Sequence, residues 1–417
     1  LNVQVGQVKY QFPAEQAGEM TYAEGTTLDI MNKVFTLADV ETMYVDESVV
    51  KDNTVAVVYN GQTAAITVAG NVAQYLTITT IGAHVNIGQS SDLAEEITYT
   101  LSGSSDDGEC YISGSYKATV ELNGLTLTNK TPVKSGAAVH IQNSKRIKVK
   151  VMDGTTNTLV DCASGSQKGA FYVKGHPEFS KNGVLNVVGN LKHAIKSGEY
   201  IELKEATLNV TSAQGDGINC AQYFLMKSGN VNIYNVTDDG IQCDIEDTEV
   251  GSTGETEDHE NEDSGNIYLE GGQITINTAG IAAKGVKSEG DLIVKGGTIA
   301  ITTTGNGKWD EEDLKTKASA CLGSDAKVVI SGGTLTLTST GAGGKGINCD
   351  AAFELSGGEV TIVTKGALYY HNGTTENTNY TGNTDNVNSD YYSSSKGVKA
   401  DGAITISGGK ISVATAG

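Results

Sequence analysis

The phrase "GDGINC" at 215–220 returns 23 residues later as "DDGIQC" at 238–243, and an interval of that length recurs through the second half of the chain. Ser228-Gly229 and the double glycines at 271–272, 296–297, 332–333, 357–358 and 408–409 each precede an alternating segment, such as "QITINT", "TLTLTST" or "EVTIVT". Aligned on those turns, Ile218, Ile241, Val286, Leu322, Ile347 and Val398 fall in one apolar column. Two residues further on, Cys220, Cys243, Ser288, Ser324, Cys349 and Ala400 form a column of small side chains. Columns that keep their chemical type, at a period of 23–25 residues wherever no insertion intervenes, are what the stacked coils of a parallel β-helix require. Each coil would hold about three short strands, with neighbouring coils roughly 4.8 Å apart. The Leu and Asn signature of a leucine-rich horseshoe is missing.

Composition supports an all-β chain. Glycine is abundant (52) and proline nearly absent (3), while Val, Ile and Thr recur in short runs, so many short strands joined by glycine-bearing turns are expected. The repeat weakens toward the N-terminus but persists through "AAVHIQ" (137–142), "RIKVKV" (146–151), "GVLNVV" (183–188) and "HAIKSG" (193–198). Residues 53–417 are therefore read as the repeating body. Residues 1–52 are read as a small β-rich cap that protects the first open edge.

A formal charge of −21, from 50 acids against 29 bases, opposes binding to nucleic acid or to an anionic membrane surface. No apolar run is long enough to span a bilayer. No leader is visible at Leu1 and the last residues, "ISGGKISVATAG", stop inside a repeating phrase. The chain is accordingly read as soluble, or as the mature part of an exported protein. Six cysteines in a chain this long make no disulfide scaffold, and no CxxC pair or histidine spacing suggests zinc. Nothing in the pattern fixes the oligomeric state, and a monomer is favoured.

Three insertions break the period. The first, 245–264, carries nine acids and His259, which suits either a solvated acidic loop or a weak calcium loop. The second, 306–319, contains Trp309; the third, 367–395, contains Tyr369, Tyr370, Tyr380, Tyr391 and Tyr392 among Asn, Thr and Ser. The second and third leave the repeat at the same corner. Aromatic rings flanked by amides and hydroxyls suit a pyranose, which offers C–H bonds to stack and hydroxyls to pair. The same tyrosines could equally anchor long loops.

Counting back twelve residues from the first member of each turn gives Asp216, Lys284, Ala320, Lys345 and Lys396, and Asp239 joins this column if a 20-residue insertion follows it. Two carboxylates about 5 Å apart repel by roughly 3 kcal/mol at an effective dielectric near 20. That is enough to move a pKa by about two units. Protonation, a lysine such as Lys284, or calcium would relieve it. A second acidic column, Asp244, Glu289, Asp325, Asp350 and Asp401, is read as surface pairing with lysines.

In "AAVHIQ", "GDGINC", "DDGIQCD", "KGINCD" and the recurrent "SGG" turns, residues 55–417 resemble the bacterial carbohydrate-binding domain-containing proteins. The resemblance implies a right-handed parallel β-helix of polysaccharide-lyase-like topology. It also implies an exported or cell-surface protein that binds polysaccharides, acidic pectin-like or cellulose-like chains among them, with calcium on the helix. Residues 1–50 resemble the leader region of surface lipoproteins from Bacteroidetes-like bacteria, which implies an outer-membrane anchor removed from this chain. "GDG" followed by "DDG" also resembles the calcium corner of a pectate-lyase family, implying metal roles for Asp216, Asp238 and Asp239, with Asp244 as the nearest further acid. In that family a lysine from a later coil is the base, a role that would fall to Lys284. The leading expectation is calcium-stabilised, non-catalytic polysaccharide binding. The alternatives are a calcium-dependent lyase acting on uronides and a structural or adhesive surface protein. Against the lyase stands the near absence of arginine, Arg146 being the single one, since an enolate needs a stabilising cation.

Overall fold

The computed structural model describes residues 1–18, 20–23, 25–245 and 262–416. Strands dominate; the described helical content is a four-residue α-helix, Gly70–Ala73, and two three-residue 3-10 turns. The chain divides into two compact units, Leu1–Asn186 and Val187–Gly417.

The first unit begins with antiparallel strands. Asn2–Val5 pairs with Val8–Gln11 and with Thr42–Tyr44, and Thr21–Ala23, Thr27–Ile30 and Lys33–Thr36 form a separate small antiparallel sheet. Thr54–Asn60 folds back antiparallel on Thr63–Ala69, and Leu76–Ile81 does the same on Ala83–Gln89. Parallel pairing starts from these hairpins. Thr54–Asn60 pairs with Ile97–Ser105, which pairs with Ala118–Thr128. Ala83–Gln89 leads a run through Gly108–Ser113, Val139–Gln142 and Gly169–Val173.

The second unit is regular. Each repeat supplies one strand to each of three parallel ladders. The first ladder runs His193–Ser197, Ile218–Ala221, Ile241–Asp244, Lys284–Ser288, Ala320–Ser324, Lys345–Cys349 and Lys396–Ala400. The second contains Tyr223–Met226, Asn266–Leu269, Leu292–Val294, Val328–Ile330, Phe353–Leu355 and Ile404–Ile406. The third contains Asn230–Val236, Gln273–Thr278, Thr298–Thr303, Thr334–Ser339, Glu359–Thr364 and Lys410–Thr415.

Alternation sets the faces. In Thr298–Thr303, Ile299 and Ile301 are buried while Thr298 is exposed, and the period-two pattern repeats in each third-ladder neighbour up to the last, Lys410–Thr415, where it is mostly exposed. The apolar column read from the sequence is the buried register Ile218↔Ile241↔Val286↔Leu322↔Ile347. The small column has a reason beyond size: Ser288 Oγ donates to Gly290 O (2.9 Å), Ser324 Oγ to Lys327 O (3.1 Å), and Cys220 Sγ to Tyr223 O (3.6 Å). These side chains tie the strand to the corner that follows it.

Two glycine positions are steric necessities. A Cβ on Gly240 would lie 2.4 Å from Gly285 O of the neighbouring first-ladder strand and 2.7 Å from Ile276 Cγ2 of the third ladder. The second glycine of the turn, as in Gly333 (φ +89°), adopts a left-handed conformation, and its Cβ would fall 3.0 Å from the carbonyl oxygens of Gly296 and Gly297 in the preceding turn. The sequence reads "GG" because each turn is stacked directly on another turn.

Candidate functional site

The column that opens on carboxylates begins one strand earlier than the repeat motif shows. Ile195 is in register with Ile218, which places His193 beside Asp216, and the Ala194 amide donates to Asp216 O (3.2 Å). The next step is made by Gly217 N donating to Asp239 O (3.0 Å), and the one after by Gly240 N donating to Lys284 O (2.9 Å). Parallel pairing therefore stacks His193, Asp216, Asp239 and Lys284.

Asp216 is 2% exposed and Asp239 5% exposed, whereas Asp238 is exposed. Carboxylate oxygens of the three lie within 4.8 Å of one another, the one such group among the described residues. Asp216 is held from several sides. His193 Nδ1 lies 3.1 Å from its Oδ2 and accepts from its backbone N–H (3.2 Å). Asn219 Nδ2 donates to Oδ2 (2.9 Å), and the Asp239 amide donates to Oδ1 (3.1 Å). Asp239 Oδ1 accepts the Lys284 amide at 2.6 Å.

Proximity and burial raise the proton affinity of this group. Burial first, opposed by the Lys284 ammonium and reinforced by Asp216, pushes the Asp239 carboxyl up to about 7. Asp238 is also raised, by burial and then by the charge on Asp216. Among the described residues no lysine forms an ion pair with any of the three.

Asp244 stands apart from the three. It accepts from Gln242 Nε2 (2.5 Å) and from Asn219 Nδ2 (3.3 Å), and Asn219 links it to Asp216. Lys196 donates to Asn219 from the preceding strand. His193 escaped the sequence reading of the acid column, although "HAIKSG" places it 23 residues before Asp216. The ladder cysteines Cys220 and Cys243 are register partners and buried; burial pushes the Cys243 thiol well up, away from reactivity.

The two aromatic insertions do meet. Lys308–Asp310 and Lys315–Lys317 form a hairpin in the second insertion, and Leu368–His371 pairs with Glu376–Tyr380 and Tyr392–Ser393 in the third. Trp309 stacks on His371 (4.7 Å between centroids, 11°) and on Tyr391 (5.1 Å, 4°), and is 8% exposed. Tyr369 is fully buried, its hydroxyl donating to Glu376 Oε1 (2.8 Å). Trp309, Tyr369 and Tyr391 thus spend ring surface on joining the loops. Tyr370 and Tyr380, stacked at 4.3 Å, and Tyr392 keep partly exposed rings. In the acidic insertion, residues 246–261 with His259 lie outside the described residues.

The family model described as "Carbohydrate-binding domain-containing protein" matches residues 82–373, most of the chain. The chain belongs to that family. A search of curated proteins finds no match. Among solved structures, the chain is similar to the polysaccharide lyase-like protein from C. thermocellum, solved as a gadolinium derivative. That match has 17% identity and a TM-score of 0.47, and covers 72% of this chain and 96% of the other.

Proposed function

We propose that the protein is a right-handed parallel β-helix that binds polysaccharide without cleaving it, stabilised by calcium at Asp216, Asp238 and Asp239. It acts as a monomer outside the cell or at the cell surface. Three parallel ladders with matching registers and the family membership support the helix and the glycan ligand. The observation that carries the calcium reading is the trio of carboxylates within 4.8 Å, two of them buried and none neutralised by an ion pair to lysine.

The donors suit the ion. Calcium prefers several hard oxygen ligands, and this corner offers three carboxylates as the ligand group, with the His193 imidazole set against Asp216. Asp216 and Asp239 would hold it from the buried side and Asp238 from the exposed side. Bound calcium would cancel the local negative charge and offer a cation to an acidic sugar. The chain's own residues do the orienting: the amides of Asp239 and Lys284 and the Asn219 side chain fix the buried carboxylates before any ligand arrives. Tyr370, Tyr380 and Tyr392 supply ring surface for pyranose stacking.

Retention on insoluble polysaccharides, from cellulose to pectin, with and without chelator, tests this reading. Binding that chelator weakens is expected. Failure to be retained on any glycan would overturn it. Lyase chemistry is the weaker reading: Lys284 follows the acids in register as a base would, but Arg146 lies in the first unit, so no guanidinium of the second unit stands ready for an enolate. Unsaturated uronide formation, read by ultraviolet absorbance and lost in Lys284→Ala, would reverse that ranking.

A further inference from the structure

Past the carboxylates, the same column turns cationic. Lys284, Ala320, Lys345 and Lys396 are consecutive register partners on the first ladder. Adjacent strands lie about 4.8 Å apart, so Lys345 and Lys396 are one spacing from each other and Lys284 is two from Lys345. Neighbouring lysines have carboxylate partners: Lys287 pairs with Asp325, Lys317 with Asp310 (2.7 Å) and Lys399 with Asp401 (2.7 Å). Among the described residues, Lys284, Lys345 and Lys396 have none.

Lys345 is the telling case. It is 7% exposed, and its Nζ donates only to neutral oxygens, Ser393 Oγ at 2.6 Å and Gly343 O at 3.4 Å. Burial, then the charges of Lys396, Lys399 and Lys284, pull its ammonium down to about 7, against a weaker upward pull from Asp401. A buried cation facing other cations is costly unless an anion joins it. Asp350, Asp390 and Asp401 line one cleft with these three amines, yet none of them forms an ion pair with any of the three.

The three amines line a cleft of about 690 Å³. Its other wall comes from the joined insertions, including Lys315, Lys317, Asp313, Asp390 and Tyr392. Seven lysines and five aspartates line the cleft in all. Asp313 is paired with Lys315 and Lys317, Asp325 with Lys287, and Asp401 with Lys399, which leaves the amines of Lys284, Lys345 and Lys396 without an ion pair among the described residues. That volume is in the range that accommodates an organic molecule of several rings, not a lone ion. We propose that this cleft is a calcium-independent binding site for the anionic groups, carboxylate or sulfate, of a sugar chain laid along Lys284, Lys345 and Lys396. The assignment of a sugar chain rests on the polysaccharide reading above; the anionic character rests on the lysines.

The test uses the full chain in chelator, with oligogalacturonate as the carboxylate probe, a sulfated galactan as the sulfate probe, and neutral galactan and a single-stranded oligonucleotide as controls. Binding is measured by calorimetry at about pH 6 and about pH 8.5, on either side of the shifted amine. At least one anionic glycan should bind and neutral galactan should not. Affinity should fall with salt and at the higher pH. Lys345→Gln combined with Lys396→Gln should weaken it by roughly tenfold or more, whereas Lys410→Gln, outside the cleft, should not. If Lys345→Gln fails to fold, Lys284→Gln with Lys396→Gln carries the same test. Unchanged affinity in the lysine variants, no anionic binding in chelator, or equal affinity for the oligonucleotide would overturn the proposal. Glycan binding that needs calcium and ignores the lysines would sink this site while leaving the calcium reading intact. Lysine-dependent binding indifferent to calcium would do the reverse.

Discussion

At Asp239 the register of the repeat turns into acid–base behaviour. Its folded carboxyl sits at about 7, above the ordinary 3.8, so the folded state holds a proton that the unfolded chain has lost between those values. The resulting stability is fully present below about pH 4 and is lost as pH rises through about 7. In chelator, the melting temperature of the wild type should therefore decline across that window relative to Asp239→Asn, whose amide does not titrate. Calcium should restore the loss and raise the melting temperature more at about pH 8 than at about pH 5, because protons and metal compete for one carboxylate. A constant gap between variant and wild type across the range would refute the assignment. Gly240 makes a purely steric prediction. Gly240→Ala places a methyl 2.4 Å from Gly285 O and 2.7 Å from Ile276 Cγ2 and should cost about 1–3 kcal/mol in denaturant unfolding; a cost near zero would mean that this strand and its neighbours part more easily than their packing implies.

Among the elements, the two aromatic insertions act as one body. Trp309→Ala removes the stacking partner of both His371 and Tyr391, so cleavage by a protease within 367–395 should speed up while the ladder strands stay protected from hydrogen exchange. Unchanged cleavage would show that the main-chain bonds Gly307 N to Ala342 O and Gly343 N to Ala367 O suffice to hold the loops. How legible each element was follows from its physics. Ladder strands announce themselves because one face is buried at every second residue and neighbours must match, so Ile218, Ile241 and Val286 could be aligned by counting. The pairing of Asp216 with Asp239 was readable for the same reason. What a ring touches inside an insertion has no period. Trp309 looked like a sugar platform because exposure cannot be read from a single aromatic, and its burial depends on His371 and Tyr391, 62 and 82 residues further along in the third insertion, stacking on it. Lys345 was visible as a column member, but its hydrogen-bond partner Ser393 comes from the third insertion, which has no period to count.

For the molecule as a whole, burial depends on having a neighbour on each side. Leu355 and Ile406 are register partners in the second ladder, yet Leu355 is 1% exposed and Ile406 54%. In the 417-residue chain, Leu355→Ala should cost about 2–5 kcal/mol and Ile406→Ala no more than about 0.5 kcal/mol; equal costs would mean that the last repeat is covered in solution. The left-handed glycines seated on the preceding turn have a wider consequence. Each turn is moulded against the one before it, so the count of residues from a turn through the strand that follows it behaves like a reading frame. Losing one residue between Gly297 and Gly333 within a strand would flip every later side chain of that strand to the opposite face. Extra sequence is tolerated only at the corners, where it costs little more than closing a loop. Novelty in such a chain can accumulate at its corners while the frame beneath stays unchanged.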